Sequence, residues 1–388
     1  MAEKCTPIMK TSTWPPYFLA GERCTDPDKK KEGDRIIGIS IGQPPDPRSI
    51  IFRNHDFYGL SIEFLSGWKN VHGIKVGLIT NASNKMTGLS FSNANIAHEM
   101  TGFQPALGLN STIDGDMWGI QIAGWSNLAA KNMYGIQFAF GNNTAFEKMS
   151  GFQIAGGWNT TPLQDMVGVQ LAGAWNWSSQ NMVGIQATAG FNYSKKDMKG
   201  IQLAPFVNRS KGNIYAAQIA GLNLSGHDMR GAQLGLANIS NSEMAGLQIG
   251  IFLNQSRKGI TGIQVGGIAN LSDDEMKGIQ GSFLFNCARR ILGVQIAGLI
   301  NYATQGMKGL QAALVNYVER GDMTGLQVGA LNYARGGGMN GVQVGVVNMA
   351  RGDMDWAFGL VNISGRCKSN LATPIWGGMC VFGEKEGE

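Results

Sequence analysis

Between Met307 and Met354 the chain reads "MKGLQAALVNYVERGDMTGLQVGALNYARGGGMNGVQVGVVNMARGDM". One phrase is written three times: Met, any residue, Gly, an aliphatic, Gln, an aliphatic, a small residue, then aliphatics ending in Asn. Charged residues collect between the phrases. Within a phrase such as "GVQVG" the apolar positions alternate, with Val, Ile and Leu as their members, which is the period and composition of strands. A helix is a poor fit, since each interior glycine would weaken it by ~1 kcal/mol. Segments such as "SDDE", "ARGD" and "SGHD" carry turn residues. The pattern predicts an all-β chain.

The phrase recurs along most of the sequence. Its glycine stands at Gly119, Gly135, Gly151, Gly168, Gly184, Gly200, Gly231, Gly246, Gly262, Gly278, Gly293, Gly309, Gly325 and Gly341, with Ala216 in the one gap, at spacings of 15, 16 or 17. Two residues earlier Met predominates, as at Met117, Met133 and Met323; two residues later stands Gln, as at Gln121, Gln137 and Gln327; seven or eight later stands Asn, as at Asn238, Asn254 and Asn332. Degenerate copies extend back through Gly102, Gly88, Gly73 and Gly59, and forward to "AFGLVNIS" at 357–364. The sequence thus divides into an irregular N-terminal cap (1–57), a β-repeat array (58–365), and a C-terminal cap with a disordered acidic tail (366–388). One coil of aliphatic side chains cannot offset the entropy of ordering its own backbone, so stability is expected from stacked neighbours.

Two architectures use such a unit. In a parallel β-solenoid each repeat is one coil and like residues stack. In a transmembrane β-barrel, here of about 20 strands, each repeat is one strand and neighbours run antiparallel. Fixed Gln and Asn columns favour the solenoid, because amides can bond up a parallel ladder. The doubled aliphatics Val346 and Val347 favour a bend within each repeat. On this reading Val342, Val344, Val347 and Met349 face inward, while Gln343, Gly345, Asn348 and Ala350 face outward or occupy corners. Amphipathic copies such as "GVQLAGAWNW" and aromatic residues near strand ends keep the barrel as the alternative.

Composition narrows the function classes. Only 15% of residues are charged, the net charge is +5, and Lys and Arg are scattered, which argues against nucleic acid as partner. No apolar run reaches the ~18 residues of a membrane helix, and the first residues lack the apolar core of a signal peptide. Cys5 with Cys24, and Cys367 with Cys380, are placed to close terminal loops; no CxxC pair exists among the five cysteines.

Candidate chemistry is sparse. The Met column could suggest copper, but reads as core filler. Acidic turn residues such as Asp116, Asp165, Asp228 and Asp322 are too irregular for a calcium edge, and Asn-x-Ser/Thr triplets at Asn176, Asn192, Asn208, Asn223, Asn238 and Asn270 arise from the repeat itself rather than as glycan acceptors. His55, His72, His98 and His227 stand apart from one another. The expectation is a non-enzymatic protein with no catalytic residue, cofactor or metal. Residues that differ between copies, just before the repeat glycine, are the candidates for binding: Trp118, Tyr134, Lys199, Arg230 and Lys277.

Units such as "GLQVGALN" at 325–332 and "GVQVGVVN" at 341–348 resemble those of bacterial surface-repeat proteins of the spirochaete type. The resemblance spans about 250–300 residues. It implies a place at the cell surface or outer membrane and supplies no catalytic residues. The expected role is a surface or scaffold protein presenting an extended face to a protein or glycan ligand, the alternative being a porin-like barrel in the membrane.

Overall fold

The computed structural model describes residues 4–13, 16–25, 35–42, 53–366 and 378–380. Every regular element among them is a β-strand, and no helix in them is long and apolar enough to cross a membrane. The chain forms two compact units, Met1–Lys196 and Asp197–Glu388, each built as a parallel β-solenoid.

In the first unit, β1 (Lys4–Thr13) and β2 (Pro16–Thr25) pair antiparallel, as do β2 and β3 (Arg35–Gly42). The direction then changes. β3 runs parallel to the start of β4 (Arg53–Thr112), Gly38 opposite Gly59, and parallel pairing continues through the coils that follow. β5 (Met117–Ala123) lies beside β7 (Met133–Ala139), with Met opposite Met, Gly opposite Gly, Gln opposite Gln. β6 (Ser126–Ala129) lies beside β8 (Asn142–Ala145), Asn127 opposite Asn143. Each repeat is therefore one coil carrying a long strand and a short one. In an up-and-down barrel adjacent repeats would be antiparallel, so the parallel register overturns the barrel alternative.

The repeat glycine exists for a geometric reason. Gly135 adopts φ +135°, where a regular strand residue has a strongly negative φ. A Cβ at that position would fall 2.0 Å from the carbonyl oxygen of Gly119, one coil earlier. Only glycine meets both constraints without strain. The column runs from Gly38 through Gly59, Gly73, Gly88 and Gly102 to Gly184 in this unit. Ala216, at φ 140°, is the one non-glycine residue with positive φ among those described.

The facing of the side chains is the reverse of the sequence expectation. Gln121, Gln137, Asn127 and Asn143 are fully buried together with Met117, Met133, Ala123 and Ala129, whereas Ile120 and Ile122 are exposed. In the second unit Gln343, Asn348 and Ala350 are buried, while Val344 and Val346 are exposed and Val342, Val347 and Met349 half-exposed. The physical reason is the stacking itself. Coils ~4.8 Å apart leave most interior residues of the regular coils lying on their own copies, which favours residues that pack or bond with themselves. Met, Ala, Gln and Asn do this. The variable aliphatics flanking Gln lie outside, and only scattered copies, such as Ile214, Ile260 and Ile291, replace Met within.

The second unit repeats the design. Met307–Ala312 pairs in parallel with Met323–Val328, and Val315–Val318 with Leu331–Ala334. Changes in repeat length are absorbed outside the ladders. Where a 15-residue coil meets a 16-residue one, the register slips after Gly235, and the extra residue enters the exposed corner at Ile251–Phe252.

The sequence reading of terminal caps falls partly outside the described residues: this holds for Lys29 to Glu32, Pro44, Pro45, Pro47, Cys367, Pro374 and the acidic tail. Cys5 lies opposite Cys24 in the β1–β2 register.

Candidate binding face

The interior polar groups are consumed by two ladders of opposite sense. Gln137 Nε2 donates to Gln121 Oε1 at 2.9 Å, and Gln153 Nε2 to Gln137 Oε1 at 2.9 Å, so the glutamine amides donate toward the N-terminus. Asn127 Nδ2 donates to Asn143 Oδ1 at 2.9 Å and also to the Phe138 carbonyl at 2.7 Å, so the asparagines donate toward the C-terminus. The second unit holds the same pair of directions, in Gln327 to Gln311 at 2.8 Å and Asn316 to Asn332 at 2.9 Å. Antiparallel rows of amide dipoles partly cancel, and each buried amide avoids the ~1–3 kcal/mol cost of an unpaired group. The asparagines of the Asn-x-Ser/Thr triplets belong to this ladder and are 0–1% exposed. The amide columns expected to line the binding face are thus inside and cannot touch a partner.

The turns are also bonded coil to coil. Asp165 Oδ1 accepts the N–H of Asn181 at 3.0 Å, Asp197 Oδ1 that of Asn213 at 2.8 Å, and Asp322 Oδ1 that of Gly338 at 3.1 Å. At these three places the aspartate before the Met therefore satisfies a backbone donor of the next turn. No group of three or more potential metal ligands occurs among the described residues.

What remains outside is apolar. The residues on either side of each buried Gln form two exterior columns. In the first unit they run from Leu60 and Ile62 through Ile120 and Ile122 to Ile185 and Ala187; in the second from Ile201 and Leu203 to Val342 and Val344. None of these positions is buried and none bears a charged or polar side chain. Beyond them lies the corner between long and short strands, which is Gly or Ala in some coils, as at Gly156–Gly157 and Gly173–Ala174, and elsewhere carries strongly projecting side chains: Trp125 is 66% exposed, Phe140 72% and Phe283 74%.

The five residues expected to bind lie beside these columns, on the exterior of the first part of the long strand. In the first unit Trp118 and Tyr134 stack, ring centroids 4.0 Å apart. In the second, Lys199 and Arg230 each sit 5.9 Å from the ring of Tyr215, one coil on either side of it. Lys277 pairs with Glu275 at 2.9 Å, and this bond raises the Lys277 pKa. The far side of the strip carries more rings: Trp158 on Trp175 at 5.0 Å in the first unit, Tyr302 on Tyr317 at 5.4 Å in the second. The Tyr302 hydroxyl donates to Glu319, which pushes its pKa up to about 12. Cys287, a free thiol, is raised to about 11 by burial.

Sequence reasoning missed Tyr215 and both aliphatic columns. A signal for the columns was present. Met, Gly, Gln and Asn hardly vary from copy to copy and the Ala columns stay mostly small, whereas the flanking aliphatics range from Ala to Phe. In a stack, near-identity marks the crowded inside and variety the open outside. The chain matches no protein-family model, no curated protein and no solved structure.

Proposed function

We propose that the protein is a non-enzymatic scaffold of the cell envelope that binds through its extended exterior face. One observation carries this reading: an unbroken pair of exterior columns, in each unit, without a charged or polar side chain. Soluble monomers rarely leave contiguous apolar patches beyond a few hundred Å² uncovered, and such columns have no role in the interior, where Met, Ala and the amides already fill the space. The flanking Trp118, Tyr134, Lys199, Arg230 and Lys277 give the strip a border able to make cation–π and ionic contacts. The resemblance to surface-repeat proteins supplies the location.

Cell fractionation combined with protease shaving of intact cells tests it. The protein is expected in the envelope fraction and is expected to be cleaved by external protease. Recovery, uncleaved, in the soluble fraction overturns the reading.

A further inference from the structure

We propose that the partner of this face is the lipid bilayer itself: in each unit the aliphatic strip seats in the outer acyl layer while that unit lies on the membrane without crossing it. This rests on the reading of the exterior face as the binding surface and names what it binds.

Three features favour lipid over a second copy of the chain. The first is the shape of the strip. It wraps a corner whose large side chains, where coils place them, are its most exposed part, such as Trp125 in the first unit and Phe283 in the second. A ridge meets a flat sheet along a line, whereas fluid acyl chains close around it. The second is the border. Rings with a polar edge flank the aliphatics, Trp118 and Tyr134 on one side and Trp158 and Trp175 on the other in the first unit, and such rings settle at the headgroup level. In the second unit the border column carries Lys199, Arg230, Lys277 and Lys308, all exposed, against one carboxylate, Asp355, in the last coil; Lys277 is also paired with Glu275. These long side chains can lay their stems on the strip and hold their charges among anionic phosphates. The third is the backbone. The strands beneath the strip pair with the coils before and after them, so facing hydrocarbon leaves no ladder group without a partner. Neither strip column itself bears a carboxylate.

The test is flotation of the purified full chain with vesicles of phosphatidylcholine and phosphatidylglycerol, and with vesicles of phosphatidylcholine alone. The probe variant combines Ile249→Glu, Ile296→Glu and Val328→Glu, three exposed positions in non-adjacent coils. Its companion is Ile249→Leu, Ile296→Leu and Val328→Ile, with circular dichroism as the check on folding. The native chain and the companion are expected to float with mixed vesicles at low and at high salt, and the glutamate variant to lose at least tenfold in bound fraction. Brominated acyl chains are expected to quench the tryptophan fluorescence of the native chain, a readout that holds even if the glutamate variant does not fold. Absence of both flotation and quenching overturns the lipid assignment. So does flotation that vanishes at high salt and is unchanged in the glutamate variant, since that is adsorption by charge alone. If the native chain stays off lipid but is a dimer in sedimentation, and the glutamate variant is a monomer, the lipid assignment falls and the binding face stands, with a second copy as its occupant. If the folded glutamate variant differs from the native chain in neither flotation nor mass, the binding face falls as well.

Discussion

Within the first unit, the coils anchored at Gly59 and Gly73 and those anchored at Gly119 to Gly184 share one backbone and differ in what fills it. The Met column is kept in kind, since Phe57, Val71, Met86 and Met100 are all fully or almost fully buried like Met117. The glutamine column is not kept, although the asparagine ladder already begins at Asn95, which donates to Asn110 at 2.8 Å. Where later coils place Gln, the early ones place Ser61, Lys75 and Ser90; where later coils place Ala, one early coil places Glu63. The early interior is then held by unlike residues meeting once. Phe57 stacks on Trp68 at 4.8 Å, and Glu63 Oε1 accepts from Ser40 at 2.6 Å and from Trp68 Nε1 at 3.1 Å. The later interior is held by like residues meeting many times. The glycine column is common to both, so the coil geometry depends on the glycine, while the choice between a ladder and a cluster belongs to the side chains.

The largest expected effect tests the cluster. Burial lowers the Lys75 pKa to about 7, with the nearby Glu63 charge opposing the drop. Glu63→Ala removes that charge and the acceptor of two buried donors, and is expected to destabilise by about 3–5 kcal/mol. Adding Lys75→Gln, so that both positions carry the residues of the later coils, is expected to return most of the loss. The pH dependence supplies a second arm. The folded pKa lies below the unfolded value of 10.5, so between pH ~7 and ~10.5 the unfolded chain holds a proton that the folded one lacks. Stability should therefore rise with pH across that window, and the penalty should be full below it. The double variant should lose this slope in denaturant titrations at several pH values. A slope that survives assigns it to groups other than Lys75.

The ladder is tested by Gln153→Leu. The substitution strands Gln137 Oε1 and an N–H of Gln170, both buried and both bonded to Gln153 in the native chain. A loss of about 3 kcal/mol is expected, given ~1–3 kcal/mol for each stranded group and some return from the buried leucine. Native-state hydrogen exchange should show the opening centred on the Gly135–Gly168 coils. A loss under ~1 kcal/mol would mean that packing, not amide bonding, holds the regular interior.

The contrast between cluster and ladder also explains what could be read from the sequence. Repeat period, strand identity, parallel stacking and the amide ladders follow from fixed columns, and the structure has all four. The facing did not follow, because alternation states that two sets of residues point opposite ways and leaves open which set is inside. Hydrophobicity suggested Val342 and Val344; stacking geometry selected Gln343 and Asn348. The Lys75–Glu63 cluster was illegible for another reason. It depends on Ser40, Glu63, Trp68 and Lys75 meeting across coils, and none of them recurs. The exterior position of Trp118, Tyr134, Lys199, Arg230 and Lys277 beside the repeat glycine could be singled out because variation within a repeat is visible in one sequence; their binding role is part of the proposal. Tyr215 was not singled out, although it stands in the same column.

Broken columns in the second unit offer two gentler probes. Ala216 holds φ 140° in the glycine column, a conformation that costs a side-chain-bearing residue roughly 1–3 kcal/mol. Ala216→Gly is expected to stabilise by about 1 kcal/mol after the entropy of the added glycine is deducted, read as a shift of the unfolding midpoint. Loss of stability would mean that the Ala216 methyl makes contacts worth more than its strain.

The smallest effect lies where the glutamine ladder stops. Gln343 donates to Gln327 Oε1 at 2.7 Å, but its own Oε1 has no hydrogen-bond partner, because the register sets Ala357 where the next Gln would stand. In the rungs of the second unit the later coil is the donor, as in Gln311 to Gln295 and Gln327 to Gln311, so a glutamine at 357 would present its Nε2 to that oxygen without reorienting any other amide. Ala357→Gln is therefore expected to stabilise the last coils by somewhat under ~1 kcal/mol, since Ala357 is half-exposed and water already competes for the site. Global unfolding will hardly register so local a gain, and hydrogen exchange of the backbone amides in 339–350 is the proper measurement. Ala357→Asn carries the same amide on a chain one methylene shorter. If Asn slows exchange as much as Gln, the gain comes from covering the end of the stack; if only Gln does, it comes from completing the rung.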